Sequence, residues 1–460
     1  MRERADQTVV AAEPTSKLLE ALLDEAASVF VKKLSTNDRG WSWEARITNQ
    51  AGPYVPPKER DSGFFPPLSA KIREEGEAEI REVFFFTEWP QVRPERRKTR
   101  LVHYTSKGPE THLTRVPKEA FASLAPASFL VMGRIEPADG EPFYRCLTID
   151  SISDDVDILS ERLSIDPAFF FSEIIQPAQR DAAIQERQLT FLELVLKAFR
   201  DGELVSFAAA HAVLPDPAVL AMMARESFLG KHGIPDLNPF KLDRPGDAVR
   251  EISRGIEWAL FKNFQLKARS LELVNLIVGD DPTSASVEKV ITSLVSQYQR
   301  IDAILLSASQ QRKSRAGSSF ESHIEQLLID GRVPFKKQVV LTALKRPDFI
   351  LPSLTLFRNK ERAKEDVLIL SAKTTLRERW KQVQSEMINC DLFLATVDEN
   401  VAGNAIEEMA SMGITLVVPE SLKSSKITEY EDHANVIDFK TFFEHEVRTR
   451  RMSKWQATVG

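Results

Sequence analysis

The spacing of apolar residues changes several times along the chain and divides it into regions of different predicted structure. In residues 16–34 the apolar positions recur at helical spacing and Ser16 stands where an N-cap is expected, so this segment is predicted to be a helix. Residues 35–150 instead carry short apolar runs, such as EVFFFTEW, SFLVMGRI and FYRCLTI, separated by turns that contain Pro or Gly. Such runs are typical of strands, so a compact β-rich domain is predicted over residues 1–155.

The pattern changes again after this domain. The acidic stretch DSISDDVD opens the change, and residues 156–185 are interpreted as a linker with some helix. Residues 186–460 form the second predicted domain, with a mostly helical part, 186–312, before a core, 313–450. The core pattern runs as a helix near 317–330, three extended runs, a helix near 376–389, then a strand, a helix and a strand. This order predicts an α/β fold with a mixed five-stranded sheet flanked by helices.

Composition and charge narrow the class of protein. A chain of 460 residues is expected to form two or three domains, and its net charge of −6 gives no overall basic signal for nucleic acid. Any site for a polyanion must therefore come from local clustering of basic residues. The two cysteines, Cys146 and Cys390, form no disulfide framework, and the seven histidines are scattered without zinc spacing. With no signal core and no long apolar run, a soluble cytoplasmic protein is expected.

Candidate hydrolytic chemistry lies in the C-terminal α/β core. Asp348 follows Pro347, which prevents a helix, and it stands at the start of an extended run. Lys373 ends a later apolar run, DVLILSAK, and two neighbouring strands can bring these residues together. Metal-assisted phosphodiester hydrolysis needs carboxylates to hold a divalent cation and a basic group at the phosphate. The alternative is an exposed strand-end aspartate and a solvated lysine, a combination that often arises by chance.

The position of the second carboxylate is unusual. Nucleases with this chemistry often carry an acid two residues before the lysine, and here that place is occupied by Ser371. In the predicted helix that follows, Glu386 lies on the flank of an apolar face formed by Leu376, Trp380, Val383 and Met387. A carboxylate there can point back toward the strand ends and replace the missing acid. The alternative reading of Glu386 is a glutamate on the helix surface.

Four segments together resemble the catalytic domain of EcoRII-type type II restriction endonucleases. They are QRKSRAGSSFESHIEQLLID, KRPDFILPS, SAKTTLRERWKQVQSE and GITLVVPESL. The resemblance implies a PD-(D/E)xK restriction-endonuclease-like core, in a branch where the second metal carboxylate comes from the helix after the lysine. It implies that Asp348 and Glu386 bind Mg²⁺, that Lys373 is the catalytic lysine and that Glu321 is an auxiliary acid near the site.

The resemblance also assigns DNA contacts to this domain. Lys313 and Arg315 look like phosphate contacts, although a solvated basic loop is the alternative. Relatives read the outer C·G pairs with an Arg-Glu-Arg unit after the lysine, which here is Arg377, Glu378 and Arg379. Arginine pairs bidentately with guanine and a carboxylate accepts from cytosine N4, so the residue types fit. An alternating charge run is otherwise a solvated helix face.

A further segment, REISRGIEWALF, is similar to the part of these enzymes that holds flipped central bases. Arg254 and Trp258 are four residues apart on a predicted helix, so they share a face. A guanidinium and an indole ring can sandwich an extruded base by stacking. The alternative is that Trp258 belongs to the core together with Leu260 and Phe261.

The first domain carries a second resemblance. KKLSTNDRGWSWEARITNQAGPYVPP and PERRKTR are similar to the EcoRII N-terminal effector domain, a pseudobarrel related to plant B-three DNA-binding domains that grips DNA with two arms. The segment 89–107 is rich in Arg and Lys, as contact with phosphates requires. The resemblance assigns Asn49 and Gln50 to the first arm. It assigns to the second arm Glu95, Arg96, Arg97 and Arg100.

Together the resemblances imply a type II restriction endonuclease that uses Mg²⁺ to cleave double-stranded DNA at a short CC-x-GG-like site. They imply a homodimer through the catalytic domain, an N-terminal domain that binds a second copy of the site as an effector, and a companion DNA methyltransferase as genetic partner. Two alternatives stay open: a repair nuclease or junction resolvase on the same fold, and a non-catalytic DNA-binding regulator. The Arg-Glu-Arg unit argues against the first alternative, and the intact catalytic residues argue against the second.

Overall fold

The structure is a computed structural model of the chain, and it describes residues 13–46, 50–71, 79–279, 281, 286–340, 346–376, 380–381 and 389–459. Two compact units make up the fold. The first contains Met1–Ile165, Phe169–Ala183 and Lys426–Thr428. The second contains Asp166–Ala168, Ile184–Ser425 and Glu429–Gly460.

An eight-stranded sheet forms the first unit, with the strand order β5-β4-β3-β7-β6-β1-β8 and with β2 paired to β3. Its strands are β1 (Ser28–Lys33), β2 (Ser69–Ala70), β3 (Ile80–Trp89), β4 (Arg93–Tyr104), β5 (Thr111–Thr114), β6 (Phe129–Ile135), β7 (Phe143–Ile149) and β8 (Ser172–Ile175). The helices that accompany the sheet are α1 (Thr15–Glu25), α2 (Thr36–Gly40), α3 (Pro57–Arg60) and α4 (Asp155–Arg162), with 3-10 turns at Thr105–Lys107 and Lys118–Ala120. The predicted β-rich first domain is therefore confirmed.

The helix predicted over residues 16–34 is wrong in its second half. Helix α1 ends at Glu25, and its N-cap position is taken by Pro14 rather than Ser16. The following SVFVKK segment is strand β1, which pairs antiparallel with both β6 and β8. Val29 and Val31 are β-branched and suit a strand, and pairing on both edges outweighs the helical spacing of the segment. Residues 156–185, interpreted as a linker, therefore contain most of helix α4 and also strand β8, which pairs with β1 in this sheet.

Helices dominate the first part of the second unit. They are α5 (Pro177–Arg200), α6 (Leu204–His211), α7 (Pro217–His232), α8 (Pro245–Arg250), α9 (Glu257–Ile277), α10 (Val287–Ser296) and α11 (Tyr298–Asp330). A π-helical stretch, Glu251–Ile256, joins α8 to α9. The helix predicted near 317–330 is thus the last part of the much longer α11.

A six-stranded sheet follows, in the strand order β14-β13-β12-β11-β10-β9. Its strands are β9 (Lys336–Lys337), β10 (Phe349–Leu351), β11 (Leu368–Ala372), β12 (Asp391–Ala395), β13 (Ile414–Val418) and β14 (Val436–Asp438). The later helices are α12 (Leu354–Arg358), α13 (Gly403–Ser411), α14 (Glu420–Lys423), α15 (Phe439–Thr441) and α16 (Ser453–Val459), with a 3-10 turn at Lys364–Asp366 and a π-helical stretch at Phe442–Met452.

The predicted mixed sheet is confirmed, although within the described part of the chain it has six strands rather than five. Strand β10 is antiparallel to β9 and β11, whereas β11, β12, β13 and β14 are parallel. The additional strand is β14, whose three residues are too few to give an apolar pattern. No helix in the described ranges combines the length and apolar character needed to cross a membrane.

The sheet is buried on both faces, which explains why its strands are continuous apolar runs. All five residues of β11 are buried. Leu368, Leu370 and Ala372 pack into one core cluster, and Ile369 packs into another on the opposite face. Alternate residues of the strand enter apolar layers on opposite faces, so neither face has room for polar groups. Polar groups therefore lie where the strands end, and the candidate site lies there.

Candidate active site

Asp348 is positioned by the antiparallel pairing of β10 with β11. Phe349 pairs with Leu370, so the residue before Phe349 lies beside the end of β11. Asp348 is nearly buried, and its Oδ2 accepts a hydrogen bond of 2.8 Å from the backbone amide of Ala372. Its own carbonyl accepts from the backbone amide of Gln338 at 2.9 Å. The carboxylate is therefore held by the end of β11, and the backbone of Asp348 is held by the residue that follows β9.

Lys373 completes the central pair of the site. Its Nζ donates to Asp348 Oδ2 at 2.7 Å and to the Ala372 carbonyl at 3.0 Å. Its backbone amide donates to the Ala395 carbonyl at 3.0 Å, which fixes it at the end of the parallel β11–β12 pair. The lysine side chain is 27% exposed and that of Asp348 only 12%. The ammonium therefore lies on the solvent side of the pair, where a phosphate can reach it.

Glu321, on α11, approaches the same pair. Burial raises the pKa of the Glu321 carboxyl, and the negative charge of Asp348 raises it further. The positive charge of Lys373 and a hydrogen bond with the Gln338 side chain act in the opposite direction. The structure thus brings Glu321, which the resemblance implied, near Asp348 and Lys373. Gln338, which was not among the predicted site residues, contacts both Glu321 and Asp348.

Several predicted residues fall outside this geometry. Glu386 and the three residues Arg377, Glu378 and Arg379 lie outside the described residues, as does Asn49. Lys313 and Arg315 belong to α11, but their side chains are not among the described ones. Within the part of the chain that the structure describes, no group of three or more His, Cys, Asp and Glu side chains is arranged to hold a metal ion.

The carboxylates of Asp348 and Glu321 nevertheless suit a hard divalent cation. Asp348 and Glu321 offer carboxylate oxygens close enough for the charge of one to raise the pKa of the other. Mg²⁺ prefers oxygen ligands and is commonly bound by one or two carboxylates. These two carboxylates have the donor chemistry of a divalent-cation site, and Glu386, which the resemblance implies as the other metal ligand, lies outside the described residues.

Arg254 and Trp258 lie at the junction of the π-helical stretch and α9. Arg254 Nη2 donates to the carbonyl of Thr374 at 3.2 Å and to that of Val397 at 3.3 Å. The Trp258 ring lies 5.9 Å from the ring of buried Phe261, and the Trp258 side chain is only partly buried. The structure therefore places Arg254 at the turn that follows Lys373, and it gives Trp258 a core neighbour as well as a solvent-facing surface.

A buried polar loop after β12 was not selected from the sequence. Asp398 Oδ2 accepts from the Leu376 amide at 2.7 Å, and its Oδ1 accepts from the Asn400 amide at 3.0 Å. Burial raises the pKa of the Asp398 carboxyl, while these amides and the charge of Arg254 oppose that rise. The sequence feature that could have pointed to this loop is the polar segment TVDEN, which follows an apolar strand. Ligand sites in α/β folds concentrate at the carboxyl ends of such strands.

The predicted second arm of the first unit lies on β4. Glu95, Arg96 and Arg97 are exposed. Arg96 Nε donates to Glu88 at 2.8 Å, and Arg100 Nε donates to Glu82 at 2.6 Å. In the predicted first arm, Gln50 Nε2 donates to the Gly52 carbonyl at 2.8 Å. Two of the basic side chains are thus held by neighbouring carboxylates, and the rest of this cluster faces solvent.

Comparison with known proteins bears on the second unit. Residues 284–443 match the family described as EcoRII C terminal. The type II restriction enzyme EcoRII of Escherichia coli is 38% identical over 122 residues, which is 26% of this chain and 30% of that enzyme. The type II restriction enzyme SsoII of Shigella sonnei is 26% identical over 226 residues, 46% of this chain and 71% of that enzyme. The chain therefore aligns with less than two thirds of the first relative.

A solved structure of metal-depleted Ecl18kI with uncleaved DNA is also similar. It is 23% identical, covers 55% of this chain and 85% of that one, and superposes with a TM-score of 0.44. The family match spans Glu321's helix, both strands of the Asp348–Lys373 pair and the loop after β12. The predicted resemblance of this region to the catalytic domain of EcoRII-type restriction endonucleases is confirmed.

Proposed function

We propose that this chain is a type II restriction endonuclease that cleaves double-stranded DNA at a short defined sequence. The observation that carries the proposal is the Lys373–Asp348 pair, 2.7 Å apart, with Glu321 beside it, inside the region that matches EcoRII C terminal. The pair joins a carboxylate with a partly exposed ammonium group at the ends of two strands. Hydrolysis of a phosphodiester at a metal site needs these two groups.

In the proposed mechanism, Asp348 and Glu386 would provide oxygen ligands for Mg²⁺, and Glu321 would act as an auxiliary acid beside them. A cation held there would supply charge neutralisation at the phosphate and would lower the pKa of water. The backbone amide of Ala372 holds the Asp348 carboxylate in a fixed orientation. Lys373 Nζ, on the solvent side of Asp348, donates to the attacking water or to a phosphate oxygen. The hydrogen bonds and the relative exposure of the pair support the roles given to Asp348 and Lys373.

Base readout is assigned to Arg377, Glu378 and Arg379. They follow Lys373 by only a few residues, so DNA held at the catalytic pair would be close to them. We propose that they read the C·G pairs of a CC-x-GG-like site. Lys313 and Arg315 would contact phosphates. Arg254 and Trp258 would hold flipped central bases, and the partly exposed face of Trp258 supports stacking.

The first unit is proposed to bind a second copy of the site and to regulate cleavage. The exposed residues Glu95, Arg96 and Arg97 on β4, with Arg100, provide one arm, and Asn49 with Gln50 provide the other. Exposed arginines give the sequence-independent attraction that positions a protein on DNA. Cutting both strands of a short site needs two active sites, so we propose a homodimer through the catalytic domain, together with a companion DNA methyltransferase that protects the host sites.

Cleavage of a randomised duplex library tests the proposal. Full-length protein is incubated with the library and Mg²⁺, or with EDTA, and the cut ends are sequenced. We expect cuts within one sequence motif, present with Mg²⁺ and absent with EDTA. Cutting at branched DNA without a sequence motif would instead support a junction resolvase. Equal behaviour of the wild type and a Lys373→Ala variant would contradict the assigned active site.

A further inference from the structure

The turn from Lys373 to Leu376 is held at both of its ends. At one end the Lys373 amide donates to the Ala395 carbonyl at the end of β12. At the other end the Leu376 amide donates to Asp398 Oδ2 at 2.7 Å. Both acceptors belong to the end of β12 and its following loop. The path of the chain away from the catalytic lysine is therefore set by that loop.

Asp398 is itself fixed by its surroundings. Its side chain is almost completely buried, and its second oxygen accepts from the Asn400 amide at 3.0 Å. Its backbone amide donates to Thr396 Oγ1 at 3.0 Å, and its carbonyl accepts from the Tyr430 hydroxyl at 2.6 Å. A buried carboxylate that accepts two backbone amides has little freedom to move. It therefore holds the Leu376 amide at a defined position.

Arg254 supports the same arrangement from the helical side. Its Nη2 lies between the carbonyls of Thr374 and Val397, so one guanidinium nitrogen joins the turn to the loop. The positive charge of Arg254 also favours the ionised form of Asp398. Arg254 and Asp398 thus each tie the turn to the loop, and the Asp398–Leu376 bond acts at the end of the turn farthest from Lys373.

The residues that follow this end are the ones that the proposed function assigns to base readout. Arg377 is covalently next to Leu376, and the Leu376 side chain is buried in the core. We propose that Asp398 is a specificity-determining positioning residue. Its carboxylate, through the Leu376 amide, fixes where the base-reading segment begins relative to Lys373. This inference rests on the proposed function, because it needs Arg377–Arg379 to read bases.

A residue that positions the base-reading segment should affect discrimination between DNA sequences more than overall affinity for DNA. Bidentate contacts to a base need two hydrogen bonds of good geometry, and their loss lowers discrimination at one base pair by roughly 10- to 100-fold. Phosphate contacts tolerate small displacements because they carry no sequence information. A shift of the start of the reading segment should therefore reduce the preference for the cognate site before it reduces affinity for DNA.

The test compares Asp398→Asn with a matched control, Glu420→Gln, in the full-length protein. The asparagine keeps the shape of the side chain, but its amide group faces one of the two backbone N–H groups and cannot accept from it. Glu420 also has a pKa raised by burial and also accepts backbone amides, those of Gly246 at 3.2 Å, Asp247 at 2.9 Å and Lys440 at 3.0 Å. Its partners are not those of the Lys373–Leu376 turn.

The measured quantity is the ratio of kcat/KM for the cognate duplex to kcat/KM for duplexes with one substituted base pair. We expect the ratio to fall about 10-fold or more in Asp398→Asn, and to stay at the wild-type value in Glu420→Gln. Simple loss of folded protein lowers both rate constants by the same factor and leaves the ratio unchanged. An unchanged ratio in Asp398→Asn would therefore overturn the inference.

Two further outcomes keep the test decisive. If Asp398→Asn does not fold, Tyr430→Phe removes the hydroxyl that holds the Asp398 carbonyl, and it should lower the ratio in the same direction; a wild-type ratio there would also overturn the inference. If the wild type shows no sequence preference, the proposed function itself fails. A specific wild type with an unaffected Asp398→Asn variant leaves the proposed function standing and removes only the role of Asp398.

Discussion

Lys373 and Asp348 form an ion pair across adjacent antiparallel strands, with Nζ 2.7 Å from Oδ2. The same carboxylate oxygen accepts the backbone amide of Ala372. A carboxylate anchored by the backbone keeps its orientation when the lysine side chain turns to another partner. The pair is therefore arranged in the chain alone, and only the partly exposed lysine would need to turn toward the proposed DNA substrate.

Replacement of Lys373 by alanine should remove the charge that faces the phosphate. We expect the single-turnover cleavage rate to fall by about 10²–10⁴-fold, with DNA binding in the absence of metal retained. Rapid-quench cleavage and gel-shift binding measure the two quantities. The control Lys364→Ala removes a more exposed lysine that pairs with Asp391 at 3.6 Å, and it should cleave at the wild-type rate. A Lys373→Ala enzyme as fast as this control would refute the assignment.

Replacement of Glu321 by glutamine should make the protein more stable and less active. Burial and the charge of Asp348 raise the pKa of Glu321, so the folded state binds this proton more tightly than the unfolded state. The contribution of Glu321 to stability is therefore greatest at low pH, and it is lost as the pH rises from the ordinary glutamate value to the raised one. Above this window the variant should be more stable than the wild type by roughly 0.5–2 kcal/mol.

Urea unfolding of both proteins across the acid range checks this prediction. The difference in unfolding free energy between variant and wild type should grow with pH through the window and then become constant. A difference that shrinks as the pH rises would show that the native environment favours the ionised form of Glu321.

Replacement of Arg377 by alanine should relax specificity at one G·C pair by roughly 1–3 kcal/mol. Relative cleavage rates on duplexes with each base pair substituted in turn measure the effect. Lys381→Ala is a suitable control, because it removes an exposed positive charge a few residues later in the same segment. The control should weaken binding to all duplexes alike. If the Arg377→Ala variant keeps the wild-type order of preference among the duplexes, Arg377 does not read bases.

Removal of the first unit should leave a nuclease that depends less on a second site. The point of truncation matters, since β8 pairs with β1 and the compact first unit extends to Ala183. A protein that begins at residue 184 should stay monodisperse, whereas one that begins at residue 156 carries β8 without its partner strand and should aggregate. Size-exclusion chromatography and cleavage of one-site and two-site plasmids compare them. Equal dependence on a second site in the full-length and shortened proteins would contradict the effector role.

The sequence by itself determined the strands that carry the site. The apolar runs that became β10, β11, β12 and β13 are long enough to show a continuous buried pattern, and Pro347 excludes a helix before Asp348. Local chemistry also selected Asp348 and Lys373, because polar residues at strand ends are recognisable from residue type, whereas Glu321 was assigned only through the family resemblance. The same local pattern predicted that the first helix continues through β1. The spacing of apolar residues there fits both a helix and a strand, and only the partner strands distinguish the two.

Only the tertiary structure decided which of these groups meet. Asp398 holds the Leu376 amide because β12 lies parallel to β11, and Arg254 reaches Thr374 across 120 residues of sequence. Strand β14 and the pairing of β8 with β1 were likewise decided only by the tertiary structure. Spacing along a chain reports which face of an element is apolar, because that depends on the local helical or strand period. It does not report the order of strands in a sheet, and the contacts between strand-end loops depend on that order.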